Sequence, residues 1–168
     1  MKSGIPDPES ISDHMYRMAM MAMTLPPHIE FLSSPGTYVD IDKYRCVEMA
    51  LVHDLAESIV GDITPNCGVS VQDKHAQESM AMDHISDMLR DCNNDAAAKM
   101  KGLFLEYEEH LTSESKVVHD LDKLEMVLQA QEYERRHGVK LESFFTSTRN
   151  VYQTKTVHDW DHEVYSQR

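Results

Sequence analysis

The stretch KYRCVEMALVHDLAESIV, residues 43–60, carries apolar side chains at 47, 50, 51, 55 and 59, the three-and-four spacing of a helix with one buried side. GDITP, beginning at Gly61, breaks it. Upstream, ESISDHMYRMAMMAMTL (9–25) offers Ser10 or Ser12 as an N-cap and stays helix-compatible up to Pro26 and Pro27, which puts His14 in the first turns of a helix. Residues 26–42, with three prolines and a glycine, read as a connecting loop with a short extended piece near 37–41. Downstream, helices are predicted over 73–92, 94–111 and 114–137, the last stopped near Gly138, with two shorter ones at 141–149 and 157–166. The expected fold is all-α, a single helical bundle spanning residues 1–168.

A formal net charge of −13 counts against broad electrostatic attraction to a nucleic-acid polymer or an anionic membrane. It leaves room for a small phosphorylated substrate, because a bound divalent metal inverts the local field. Cys46, Cys67 and Cys92 show no CxxC spacing, so the reducing cytoplasm is the expected compartment. The most apolar run, MAMMAMTL at 18–25, is too short to span a bilayer, and no cleavable leader is read ahead of it. Its methionines at 18, 20, 21 and 23 are expected in the core, together with Met15.

The tripeptide VHD occurs at 52–54, 118–120 and 157–159. On a helix, positions i, i+1 and i+4 fall within roughly a 100° arc, so His53, Asp54 and Glu57 share one face. An imidazole with carboxylates suits manganese, iron, cobalt, nickel or zinc. Asp62, just past the break at Gly61, can turn a further carboxylate toward the same place. A single His–Asp pair in a helix is common and mostly binds nothing, and Glu57 is then only a solvated helix face. Here the pair lies in an apolar run, where buried charge needs a compensating partner, and a further His and Asp occur on separate helices.

ESISDHMYRMAMMAM, ALVHDLAESIVGDITP, KHAQESMAM and VVHDLDKLEMVLQAQEYE together resemble the HD-domain 5′-deoxynucleotidases, in particular the HD domain-containing protein 2 branch, in register over residues 8–136. The resemblance implies a metal site made of His14, His53, Asp54 and Asp122. It puts Glu57 and Asp62 beside the metal, as catalytic carboxylates, as ligands of a second ion with the carbonyl of Ile63, or as both. Periodicity does not choose between Asp120 and Asp122, since against an apolar stripe of Val117, Leu121, Leu124 and Leu128 neither is farther from the buried side. The family pattern, an Asp directly after Leu and four residues before Met, falls on Asp122. His119 and Asp120 are then expected on the helix surface, and His158, Asp159 and Trp160 on a C-terminal helix packing through Trp160 and Val164.

The activity this implies is hydrolysis of deoxyribonucleoside 5′-monophosphates with a divalent cofactor such as manganese or cobalt, magnesium being a candidate for a second site. The resemblance also implies a homodimer. Relatives carry a basic segment with Trp ahead of the first helix, where this sequence has MKSGIPD. Lys2 is no assured substitute; Lys74, in QDKHAQE, is a candidate for gripping substrate, with a solvated surface lysine the plainer reading. Two other functions fit this departure: a shortened HD domain with weak activity or a regulatory role, or an HD phosphohydrolase for another nucleotide phosphoester.

Overall fold

The chain begins its first helix where the sequence supplies a cap. Ser10 Oγ accepts the Asp13 N–H at 3.1 Å and the Asp13 carboxylate accepts the Ser10 N–H at 3.0 Å, opening α1 (Ile11–Thr24). The computed structural model describes residues 5–63 and 67–168; Lys2 and the end of the GDITP stretch lie outside them. Beyond the two prolines, β1 (His28–Glu30) pairs antiparallel with β2 (Tyr38–Asp40), Ile29 facing Val39. β2 falls on the expected extended piece, whereas β1 lies in what the prolines made look like loop. Six helices follow in addition to one short turn: α2 (Lys43–Ala50), α3 (Glu57–Val60), α4 (Val71–Arg90), α5 (Asn94–Glu109), α6 (Ser113–His137), α7 (Glu142–Ser147) and α8 (Lys155–Ser166). The described residues are thus all-α apart from one two-stranded ribbon, and none of their helices is long and apolar enough to cross a membrane.

Helix α6 is the axis, packing against α1, α2, α5, α7 and α8. It therefore buries more than one stripe: Val117, Leu121 and Leu124 as expected, but also Asp120, Glu125, Val127 and Tyr133. Fully buried side chains such as Met18, Phe104, Leu121 and Leu124 contribute about 1.5–3 kcal/mol each to this core. Gly138 stops α6 at φ 66°, a left-handed conformation that costs glycine little. Trp160 and Val164 pack against the main core, as the C-terminal reading expects.

Three expectations need correction. The helix over 43–60 does not run through: the Val52 and Leu55 amides reach back only three residues, to Met49 and Val52 at 3.0 Å, while His53 still reaches Met49 at 2.9 Å, and α3 restarts only at Glu57. The Ala50 carbonyl accepts the His53 Nδ1–H at 3.0 Å, so a ring competes for the backbone where the helix unwinds. The apolar stripe shifts accordingly, leaving Leu51 and Ile59 exposed and burying Met49, Val52 and His53. In α1, Met15 and Met18 are buried but Met20 and Met23 point outward.

The third correction concerns the second VHD. His119 is half-buried, stacked on Tyr107 with ring centroids 3.9 Å apart. Asp120 is 1% exposed and accepts the Gln153 and Thr154 N–H groups and the Thr154 hydroxyl. It ties the segment before α8 to α6, where Phe31 also bridges Thr154. Asp120→Ala strands these donors, so urea unfolding is expected to show a loss of about 2–4 kcal/mol while metal binding is retained. A stability within 0.5 kcal/mol of the parent would refute this anchoring role.

Candidate metal centre

The unwound 51–56 segment brings His53 and Asp54 to the place where α1 and α6 meet. His14 Nε2 lies 3.3 Å from Asp122 Oδ1 and 3.5 Å from Asp54 Oδ2, and His53 Nε2 lies 3.2 Å from the same Asp54 oxygen. His14, His53 and Asp122 each offer a ligand atom, all within 4.8 Å of one another. The four residues predicted to share a metal thus converge, although His53 and Asp54 come from a turn rather than from one face of a regular helix.

The ring orientations suit ligation. A backbone carbonyl can only accept, so the bond to Ala50 fixes the His53 proton on Nδ1 and leaves the Nε2 lone pair facing the cluster. That Nε2 is buried and has no hydrogen-bond partner, the arrangement a metal-binding nitrogen requires. His14 Nδ1 lies 2.7 Å from Glu125 Oε2, again leaving Nε2 toward the carboxylates. Tyr107 donates its hydroxyl to Asp122 Oδ2 at 3.1 Å, which turns Oδ1 toward His14. Two imidazole nitrogens and two carboxylates form a mixed donor set appropriate to a divalent transition ion.

Without a cation the cluster holds protons instead. Burial opposes the charged form of His14, but its hydrogen bonds to the accepting carboxylates of Asp122 and Glu125, and their charges, prevail and raise its pKa to about 10. Burial alone would raise Asp122; the His14 hydrogen bond and the two nearby imidazoles hold it far below the usual carboxylate range.

The cluster forms one wall of a cavity of about 520 Å³, a size typical of small-molecule sites. Glu57, at the start of α3, lines it and is 8% exposed; burial, then the Asp54 charge, raise its pKa to about 7 against the opposing effect of Lys74. Lys74 lies 3.5 Å from Glu57 and 3.2 Å from Glu78, both carboxylates lining the same space. It is the one lysine or arginine among the described residues of this wall. Asp62 lines the cavity from an exposed position, whereas Ile63 is half-buried and outside the lining. Farther from the cluster the lining turns apolar, with Met126, Ala130, Tyr133, Leu141 and Phe144.

Glu125, Glu78, Tyr107 and Glu9 escape the sequence reading. Glu125 follows Asp122 by three residues, on the same side of α6, and this spacing was the available signal. Glu78 similarly follows Lys74 by four. Nothing local singles out Tyr107. Glu9 lines the cavity ahead of α1, with its pKa raised to about 7 by burial and then by Glu125.

A model of the HD domain family matches residues 1–161, farther in both directions than the 8–136 register read from the motifs. The chain is 45% identical over 167 residues to the 5′-deoxynucleotidase hdd1 of Schizosaccharomyces pombe, covering 98% of this chain and 79% of that protein. It is 42% identical over 143 residues to the 5′-deoxynucleotidase HDDC2 of Homo sapiens, covering 84% of this chain and 63% of the human protein. Among solved structures, HD domain-containing protein YGK1(YGL101W) aligns with a TM-score of 0.70 at 28% identity, over 94% of this chain and 74% of that one. PH0347 from Pyrococcus horikoshii OT3 aligns with a TM-score of 0.74 at 28% identity, over 98% and 87% respectively.

A cation entering the cluster must displace the His14 proton. Manganese titrated into the metal-stripped chain is therefore expected to release at least one proton near pH 7, with affinity rising at least about tenfold per pH unit between 6 and 8. Calorimetry in buffers of different ionisation enthalpy measures this release, and a buffer-independent heat would exclude it.

Proposed function

The chain belongs to the HD-domain 5′-deoxynucleotidase family, and from that premise we propose that it removes the 5′-phosphate from deoxyribonucleoside 5′-monophosphates, using a divalent metal held by His14, His53, Asp54 and Asp122. The observation that carries this reading is the convergence of four donor side chains on one wall of a cavity whose far end is apolar. When bound, the ion supplies Lewis acidity, offsetting phosphate charge and lowering the pKa of water.

The chain's own residues do the rest. Glu57, with a pKa near 7, exchanges a proton readily at neutral pH and orients the attacking water. Lys74, held between Glu57 and Glu78, meets the phosphate as a positive charge. The proton that Glu57 takes from the attacking water passes by way of Asp62 to the departing 5′-oxygen, or Asp62 joins Glu57 and the Ile63 carbonyl in holding a second ion. Attack in line with the 5′-oxygen releases nucleoside and orthophosphate, and the apolar end receives the nucleoside.

An HD domain implies a divalent metal. Manganese or cobalt at the four-residue site, with magnesium at a second, is what the resemblance implies, and the donor types are compatible with it. The preference for deoxyribose rests on the relatives' names, the homodimer on the resemblance, and the cytoplasmic location on three cysteines without CxxC spacing. The family match over residues 1–161 supports reading 1–168 as a single domain. With Lys74 the one lining lysine or arginine among the described residues, a monophosphate suits the cavity better than a polyphosphate.

Metal-stripped protein reloaded with manganese or cobalt is expected to release phosphate from deoxyribonucleoside 5′-monophosphates faster than from ribonucleotides or a 3′-monophosphate. Asp54→Ala should abolish this release, and Glu57→Gln should lower kcat by about 10²–10³-fold with KM little changed. Absence of phosphate release by the metal-loaded parent would overturn the proposed activity, and an unchanged kcat in Glu57→Gln would remove that residue's role.

A further inference from the structure

Three of the four residues at the cluster owe their orientation to a dedicated partner, but the partners differ in kind. His53 uses the neutral Ala50 carbonyl, available because the backbone has unwound there. Asp122 uses the Tyr107 hydroxyl. His14 sits in regular helix, where the carbonyls of α1 are committed to its own ladder, so an acceptor has to come from another element. α6 provides it as a carboxylate: Glu125 Oε2, 2.7 Å from His14 Nδ1.

Glu125 is an unusual residue to find there. Its side chain is 0% exposed, in a helix whose neighbouring buried positions are Leu121, Leu124 and Val127. A carboxylate taken fully out of water is costly unless paired on both oxygens, and a neutral glutamine would serve a purely structural hydrogen bond at lower cost. Here the second oxygen forms an ion pair with Arg17, 2.9 Å from its Nε but without a hydrogen bond, so Arg17 compensates it by charge; Arg17 is itself held by Gln129 and Glu132. Asp122 and Glu125, one turn apart on α6, thus grip opposite edges of the same imidazole, at 3.3 Å and 2.7 Å.

We propose that Glu125 is a positioning residue for the metal: held by Arg17, it fixes the His14 proton on Nδ1, aims the Nε2 lone pair into the cluster and makes that nitrogen a stronger donor. A carboxylate behind a ligating imidazole raises its basicity as well as orienting it, which a backbone carbonyl does less strongly. The inference rests on the reading of His14 as a metal ligand and extends it to two residues outside that ligand set.

Glu125→Gln keeps the length of the side chain and an oxygen able to accept the His14 N–H, while removing the charge. Manganese affinity, followed by electron paramagnetic resonance of the free ion, is expected to weaken about 10–100-fold in this variant. The visible spectrum of the cobalt-loaded form should change, with circular dichroism unaltered. Arg17→Met should weaken affinity in the same direction. Should the variants fail to fold, the parent alone decides: long-range ¹H–¹⁵N spectra of its zinc-loaded form are expected to show His14 protonated at Nδ1 and without a proton at Nε2.

Unchanged metal affinity and cobalt spectrum in Glu125→Gln, with only thermal stability reduced, would show that Glu125 is a structural ion-pair partner and overturn the proposal. So would His14 protonated at Nε2. A parent that binds no manganese at all would instead overturn the metal-site reading beneath it, and the two failures are separated by that measurement.

Discussion

The centre of this molecule is governed by one constraint: carboxylates and imidazoles packed out of water must compensate one another's charge, even where a single atom such as His53 Nε2 or Glu125 Oε1 has no hydrogen bond. The His14 imidazole meets most of it, lying between Asp122 and Glu125 of α6 while anchored in α1. Glu125 in turn needs Arg17, and Arg17 draws on Gln129 and Glu132 farther along the same helix. This chain of dependence registers α1 against α6 and explains why α6, though rich in charge, can lie at the middle of the fold. Removing either end of a buried pair costs more than the pair contributes. The arrangement is therefore intolerant of partial change.

The elements of the fold were legible where backbone chemistry is local. Ser10, the double proline and Gly138 announce ends of helices through capping, a missing N–H and a permitted left-handed turn, and each acts where expected. The break after Ala50 was not legible, because it depends on a side chain taking a backbone acceptor within a run whose apolar spacing still reads as helix. Nor could spacing separate Asp120 from Asp122. A helix surrounded by five others buries several stripes, so a single stripe carries too little information. The structure distinguishes them by partner: Asp120 meets backbone amides of the C-terminal segment, and Asp122 meets His14 and Tyr107.

The cluster residues were brought to notice by resemblance, acting on motifs whose intrinsic signal is modest. The groups that support them had no such help. A chain with 29 acidic residues offers many carboxylates, and which of them is buried depends on contacts with α1 that no local pattern encodes. The same excess of acid gives Lys74 its character. In a cavity lined by Glu57, Glu78 and Asp62, it is the one lysine or arginine among the described lining residues, and it pairs with two of those three carboxylates.

His14 and Glu125 stand 111 residues apart in sequence and 2.7 Å apart in space. During synthesis, α1 and the His53 turn emerge long before α6, exposing imidazoles and carboxylates that have no common geometry. Bringing such distant segments together carries a loop-closure cost that is repaid only when the contacts form. A nascent chain of half this length holds His14, His53 and Asp54 without Asp122 or Glu125, so the cluster is completed only once α6 has been made.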